Sequence, residues 1–208
     1  MNQEIIWGNR YRDAGEQYLF GTEPNRFLAH RAVLLQDGVT ALSVADGEGR
    51  NSVWLAEQGL DVTAIEISAV AVEKARRLAA GRQVDVRFVQ ADMLAAEWPP
   101  AELHNAFDWV VGIFIQFVGP EARQRQFAVM KQLVRPGGRI LLHGYTPKQL
   151  DYRTGGPSAI ENLYTESLLR EAFADWQIEE LVDYEDELSE GLGHHGRSAL
   201  IGLVARKP

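Results

Sequence analysis

The sequence predicts an α/β fold: a mostly parallel sheet of seven strands with helices on both faces and an antiparallel hairpin at its C-terminal end. Three observations carry this. Thr40 to Ser68 reads as strand, glycine turn, helix and strand. Five further apolar or alternating runs follow, with helical stretches among them, as in βαβ units. The last two runs are long and joined by a short glycine-rich turn, as in a hairpin.

Ala41 to Ala45 is a small, apolar run suited to a strand buried on both faces. Asp46-Gly47-Glu48-Gly49 is a tight turn whose glycines tolerate positive φ and close approach of a ligand. Arg50 to Gln58 reads as a helix closed by Gly59. Asp61 to Ile67 is a second, β-branched strand, and Glu66 stands near its tip. Together these make half of a Rossmann-like nucleotide-binding unit. The turn amides and the helix start form a polar cradle, and an acid ~20 residues on accepts hydrogen bonds from ribose hydroxyls. The alternative is a purely structural turn with a solvated acid.

The nucleotide is constrained by charge. A dinucleotide fingerprint holds a pyrophosphate at the helix start, yet Asp46 and Glu48 place two carboxylates there. Such a turn suits a cationic or zwitterionic ligand, and S-adenosylmethionine fits. On Ser43-x-Ala45-x-Gly47-x-Gly49 with Glu66, the sequence resembles the class I S-adenosylmethionine-dependent methyltransferases, most of all the small bacterial tellurite-resistance and thiopurine-methyltransferase-like branch. Ser43 stands where that family has an acid and Ala45 where it has the first Gly, a mild change.

Composition sets the class. The chain has 208 residues, 46% hydrophobic and 24% charged, as in an ordinary globular protein. We expect one domain, with residues 1–38 as an N-terminal helical lid and 39–208 as the core. A formal net charge of −8 argues against a nucleic-acid or anionic-membrane binder. There is no cysteine, hence no disulfide and no thiolate metal site. The first residues lack the apolar core of a signal peptide, and no apolar run spans a membrane, so a cytoplasmic protein is expected, monomeric or homodimeric.

Trp7, Tyr11, Tyr18 and Phe20 precede Gly21-Thr22-Glu23-Pro24-Asn25, and Asn25 is placed to cap a helix from Arg26 to Leu35. These aromatics either pack the segment onto the core or, as the resemblance implies, cover the cofactor as a lid. Aromatic faces also suit a sulfonium. A helix from Ser68 to a final Gly81 follows, then a strand from Val84 to Gln90. The resemblance assigns the adenine edge to Asp92 and the ring to Met93, beside Ala91; a plain helix cap is the other reading of Asp92.

Phe107 to Phe114 reads as the fourth strand and Pro120 to Arg135 as an amphipathic helix. Pro136-Gly137-Gly138 reads as a turn and Arg139 to Tyr145 as the fifth strand. Gly112-Ile113-Phe114 replaces the Asn-Pro-Pro-Tyr of adenine-N6 methyltransferases. A long loop follows, then a helix capped by Thr165, then strands over Trp176 to Leu188 and Ser198 to Ala205 with Gly191 to Gly196 turning between them.

The expected cofactor contacts are Trp7, Tyr11, Ala45, Asp46, Gly47, Gly49, Arg50, Asn51, Glu66, Ile67, Ala91, Asp92, Met93, Gly112, Ile113 and Phe114. Tyr18, Phe117, Tyr145, His194 and His195 are expected on the acceptor side, with Tyr145 and His195 as candidate proton acceptors. The two adjacent histidines fit a solvated turn as well as an active site, and their spacing from other histidines suits no metal. The expected activity is methyl transfer to a small molecule, such as a thiol or metalloid species. An NAD(P) oxidoreductase and a non-catalytic S-adenosylmethionine-binding domain are the alternatives.

Overall fold

The computed structural model describes residues 3–36 and 38–208. Met1, Asn2 and Asp37, which belong to the expected lid segment, lie outside the described residues. The strands form a seven-stranded sheet in the order β3-β2-β1-β4-β5-β7-β6, mostly parallel, with the C-terminal strands antiparallel. Their contacts divide the chain into two compact units. The first runs up to Met93 and takes in Glu190–Gly193; the second holds Leu94–Ser189 and His194–Pro208.

In the first unit, α1 (Gln3–Asp13) and α2 (Arg26–Ala29) precede β1 (Thr40–Val44), α3 (Arg50–Glu57), β2 (Asp61–Glu66), α4 (Ala69–Arg82) and β3 (Arg87–Gln90). β1 pairs with β2 in parallel, Ala41 opposite Val62 and Val44 opposite Ile65, and β2 pairs with β3 in parallel. Ala41, Leu42, Val44, Val62, Ala64 and Ile65 are almost fully buried, as parallel strands covered on both faces require.

Several expected boundaries move, each for a local reason. Gly81 does not end α4. Gln83 does, at φ 59°, and the Val84 amide reaches back to Ala79 O at 3.1 Å, the 6→1 bond of a Schellman cap. The helix expected from Arg26 to Leu35 breaks into α2 and a 3₁₀ turn, Ala32–Leu34. Val33 is 89% exposed, so no buried stripe sustains a longer helix there.

The second unit holds β4 (Phe107–Ile113), α5 (Pro120–Leu133), β5 (Val134–Tyr145), α6 (Gln149–Tyr152), α7 (Glu166–Ala172), most of β6 (Gln177–Glu190) and β7 (His194–Arg206). Pro136-Gly137-Gly138 is not a separate turn. It lies within β5, where the register with β4 jumps between Phe107↔Val134 and Trp109↔Arg139, so the extra residues bulge out. β5 and β7 run antiparallel with Tyr145 opposite Leu200. The hairpin turn is shorter than expected: Gly191 to Gly193 turn, and His194 already begins β7. In the first unit the Leu192 and Gly193 amides both donate to Leu19 O, at 2.8 and 3.0 Å, which pins the tip. Gly191 is irreplaceable there, since a Cβ would lie 2.3 Å from Gly21 N.

Candidate functional site

The glycine turn of the first unit is braced by carboxylates. Glu66, at the end of β2, accepts the Gly47 amide on Oε2 and the Ser68 amide on Oε1, each at 2.9 Å. It is 5% exposed, and burial pushes its carboxyl up to about 6 against the pull of those amides. Asp46 lies against the first turn of α3. Its Oδ2 accepts from Ser52 Oγ at 2.5 Å and its Oδ1 from Ser43 Oγ at 2.6 Å. Burial raises its carboxyl too, with the two serines opposing. Ser43 therefore has a definite role in place of an acid: it holds Asp46. The start of α3 already faces an anion from its own chain.

Ala45 takes φ 48°, a left-handed conformation that favours glycine. The replacement of Gly by Ala at this position is therefore a strained one and not the mild change that chemistry alone suggests. Gly47 and Gly49, at φ 65° and 93°, are required for different reasons. A Cβ on Gly47 would lie 2.9 Å from the Tyr11 hydroxyl, whereas one on Gly49 would lie 2.7 Å from Ala75 Cβ and 2.9 Å from its Cα.

Glu48 does not line a cradle with Asp46 as the charge pattern implies. It forms a buried ion pair with Lys74 at 2.7 Å and accepts the Leu19 amide at 2.7 Å. The side chains of Arg50 and Asn51 are likewise engaged by the fold. Arg50 pairs with Glu190 at 2.7 Å, and Asn51 Oδ1 accepts the Asn25 amide at 2.9 Å. Asn25 Nδ2 donates to Glu190 Oε1 at 2.9 Å, closing the network.

Tyr11 is 4% exposed, with its hydroxyl toward Gly47, and Trp7 stacks on it at 5.9 Å. Burial and the neighbouring Glu66 hold the Tyr11 hydroxyl well above its usual range. Beyond β2, Ile67 is half-buried and its carbonyl accepts from Gln90 Nε2 at 3.2 Å. The Ala91 amide donates to Glu66 O at 3.0 Å; Asp92 is exposed and Met93 buried. Tyr18, expected on the acceptor side, packs in this unit against Val53, Leu78 and Ala79 and donates its hydroxyl to Lys74 O at 3.1 Å.

The second unit gathers a separate aromatic cluster. Phe114, directly after β4, is held at φ 55°, which for a bulky side chain is strained. Its ring stacks on His194 at 4.3 Å and on Tyr145 at 4.6 Å, and lies 5.0 Å from His143. The Tyr145 hydroxyl and His194 Nδ1 share a short hydrogen bond. His143 Nε2 and the Tyr184 hydroxyl share another at 2.9 Å. Gln116 clamps the end of β5: its Oε1 accepts the Tyr145 amide at 2.6 Å and its Nε2 donates to Tyr145 O at 2.8 Å. Of the two adjacent histidines, His194 is in the cluster and His195 is exposed, because neighbours on a strand point to opposite faces. Gly112 is fully enclosed: a Cβ there would lie 2.8 Å from Ile115 Cδ1. Ile113 and Phe117 are half-buried.

Sequence reasoning missed Lys74, His143, Tyr184 and Gln116. A lysine on a helix face shared with Ala71, Ala75 and Leu78 was the available signal for Lys74. Nothing in the linear pattern joins His143 to Tyr184. Among the described residues, no helix is long and apolar enough to cross a membrane, and no group of three or more His, Asp or Glu is arranged to hold a metal.

Residues 41–138 match the family model of a methyltransferase domain. That match covers a little under half of the chain, which over those residues is similar to methyltransferase domains. It is 29% identical over 175 residues to hemagglutinin 1 of Eikenella corrodens, covering 80% of this chain and 54% of that protein. It is 30% identical over 145 residues to a demethylmenaquinone methyltransferase of Renibacterium salmoninarum, covering 70% of this chain and 54% of that one. The chain thus spans about half the length of the curated relatives it matches. Among solved structures, one determined for the conversion of a disulfide bond into a thioacetal group during echinomycin biosynthesis matches with a TM-score of 0.81, at 17% identity over 99% of this chain and 92% of that one. TehB from Haemophilus influenzae matches with a TM-score of 0.72, at 19% identity over 97% of this chain and 67% of that one. At these identities the likeness is one of fold.

S-adenosylmethionine is the cofactor of these methyltransferases, and the residues present fit it. The carboxylate of Asp46 at α3 is compatible with a ligand that carries no phosphate. Glu66 presents a buried acid at the tip of β2, and Asp92 leaves an exposed one after β3.

Proposed function

We propose that this chain transfers the methyl group of S-adenosylmethionine to a small-molecule acceptor, and that it sits with the tellurite-resistance and thiopurine-type branch. The Gly21-Thr22-Glu23-Pro24-Asn25 segment and the match to TehB over almost the whole chain support that branch. The observation that carries the reading is Asp46 against the first turn of α3, held by Ser43 and Ser52. A pyrophosphate at that helix start would meet a fixed carboxylate, which disfavours NAD(P).

In this reading Glu66 accepts from the ribose hydroxyls, Asp92 from the adenine amino group, and Met93 lies under the ring. The turn from Ala45 to Gly49 takes the methionine part, and Trp7 and Tyr11 cover it. The bound cofactor supplies an activated methyl on a sulfonium, so the protein's work is position and electrostatics. In the second unit, Phe114, Phe117 and Tyr145 hold the acceptor by apolar and aromatic contact. His194, bonded to Tyr145, replaces the exposed His195 as the candidate to take a proton from a thiol. A soft acceptor such as a thiol or metalloid anion asks little of such a base. The sulfur chemistry named for the echinomycin structure is in keeping with a thiol.

Transfer of isotope-labelled methyl from S-adenosylmethionine to a panel of thiols, selenite and tellurite tests this. Label on at least one of them is expected. Cofactor binding with no label on any small molecule would favour a non-catalytic binding domain.

A further inference from the structure

Lys74 lies on α4 and is 3% exposed. Its neighbours on that face, Ala71, Val72, Ala75 and Leu78, are apolar, so packing alone gives no reason for a cation there. Its ammonium donates to three oxygens: Glu48 Oε1 at 2.7 Å, Gln17 O at 2.8 Å and Tyr11 O at 3.0 Å. The other oxygen of Glu48 accepts the Leu19 amide at 2.7 Å. One ion pair thereby grips both ends of residues 11–19 and joins them to the residue between the two glycines of the turn. The grip has a consequence for Tyr11, whose hydroxyl is brought against Gly47.

A buried ion pair is a poor source of stability, because desolvation offsets most of the Coulomb attraction, and an apolar pair of similar volume often serves as well. What this pair supplies and an apolar pair would not is directed bonding to the main chain of a segment that has little core of its own. We propose that Lys74 and Glu48 are positioning residues that latch residues 11–19 onto the glycine turn and so set Tyr11 for the cofactor. The effect on the cofactor rests on the methyltransferase reading above; the latch itself does not.

The double variant Glu48→Gln/Lys74→Met removes both charges and leaves no unpaired buried ion. Two quantities are read. Amide exchange in the ligand-free protein is expected to speed up over residues 3–20 while β1, β2 and α4 keep wild-type protection. The Kd for S-adenosylhomocysteine is expected to rise about tenfold, the scale of one hydrogen bond to a charged group. Unchanged exchange over residues 3–20 would overturn the latch, and so would a rise shared equally by β1, β2 and α4, which marks a general loss of stability. If the double variant does not fold, Glu48→Gln/Lys74→Gln, which is equally free of buried charge but keeps amide donors and acceptors in the place of the ions, is read in the same way, with a smaller expected rise. If wild-type protein does not take up S-adenosylhomocysteine, the cofactor reading fails while the exchange measurement still decides the latch.

Discussion

Glu66 holds Gly47: the carboxylate at the tip of β2 accepts the amide in the middle of the glycine turn at 2.9 Å. The acid expected to meet ribose is therefore also the brace of the turn, and burial pushes it up to about 6. A carboxyl whose folded value lies above its ordinary 4.5 penalises the fold when ionised. The penalty is absent below pH 4.5 and complete above about 6, on the order of 2 kcal/mol. This contribution to stability is therefore lost as pH rises across that window. Ribose hydroxyls donate to the ionised form, so affinity for S-adenosylhomocysteine should run the other way and fall as pH drops through 6. Calorimetry between pH 5 and 8 checks this, and a flat affinity would remove Glu66 from the ribose.

Glu66→Ala separates the two roles further. Loss of a charged acceptor should weaken S-adenosylhomocysteine by tenfold or more. Unchanged affinity would leave Glu66 as a structural brace alone.

Ala45→Gly should stabilise the protein. A left-handed alanine costs roughly 1–2 kcal/mol, and glycine gives back roughly 0.5–1 kcal/mol in chain entropy. The denaturant midpoint is expected to rise modestly at unchanged m-value, and a fall of 1 kcal/mol or more would contradict the strain.

Gly49→Ala and Gly47→Ala should diverge. Both are strained by positive φ, but at Gly49 the obstruction is the Ala75 backbone and at Gly47 it is only the Tyr11 hydroxyl. Overpacking against backbone adds roughly 1–3 kcal/mol, so Gly49→Ala should lower Tm more. Tyr11→Phe should partly rescue Gly47→Ala and leave Gly49→Ala unimproved. Equal rescue of both would mean that Tyr11 does not lie where the structure has it.

His194→Asn and His195→Asn test the assignment within the adjacent pair. Removing His194 takes the partner of the buried Tyr145 hydroxyl and should cost roughly 1–3 kcal/mol, while the exposed His195 should stay within about 0.5 kcal/mol. A larger cost at His195 would reverse the assignment.

The sheet was legible because its signals are local. Glycines bracketed β1 and α3, β-branched residues marked β2, and Ser68 and Thr165 did cap α4 and α7 by accepting the Ala71 and Leu168 amides. The place of Glu66 at the tip of β2 was legible for the same reason, but its bonds to the Gly47 and Ser68 amides were not. What was not legible depends on partners remote in sequence. Glu48 read as part of an acidic cradle because Lys74, 26 residues on, is what neutralises it. His195 and His194 could not be told apart because the strand begins earlier than the glycines suggest: Leu19 pins the turn from far upstream. The strain at Ala45 and Phe114 is a property of φ, which residue type alone does not reveal.

We propose that the first unit binds a phosphate-free S-adenosyl nucleoside rather than a dinucleotide, and titration of the protein with S-adenosylhomocysteine and, separately, with NAD decides between the two. We expect saturable binding of S-adenosylhomocysteine and a raised Tm, worth roughly 2.7 kcal/mol at ~100 Kd, with no response to NAD. Binding of NAD in the absence of any response to S-adenosylhomocysteine would make the first unit a dinucleotide site instead.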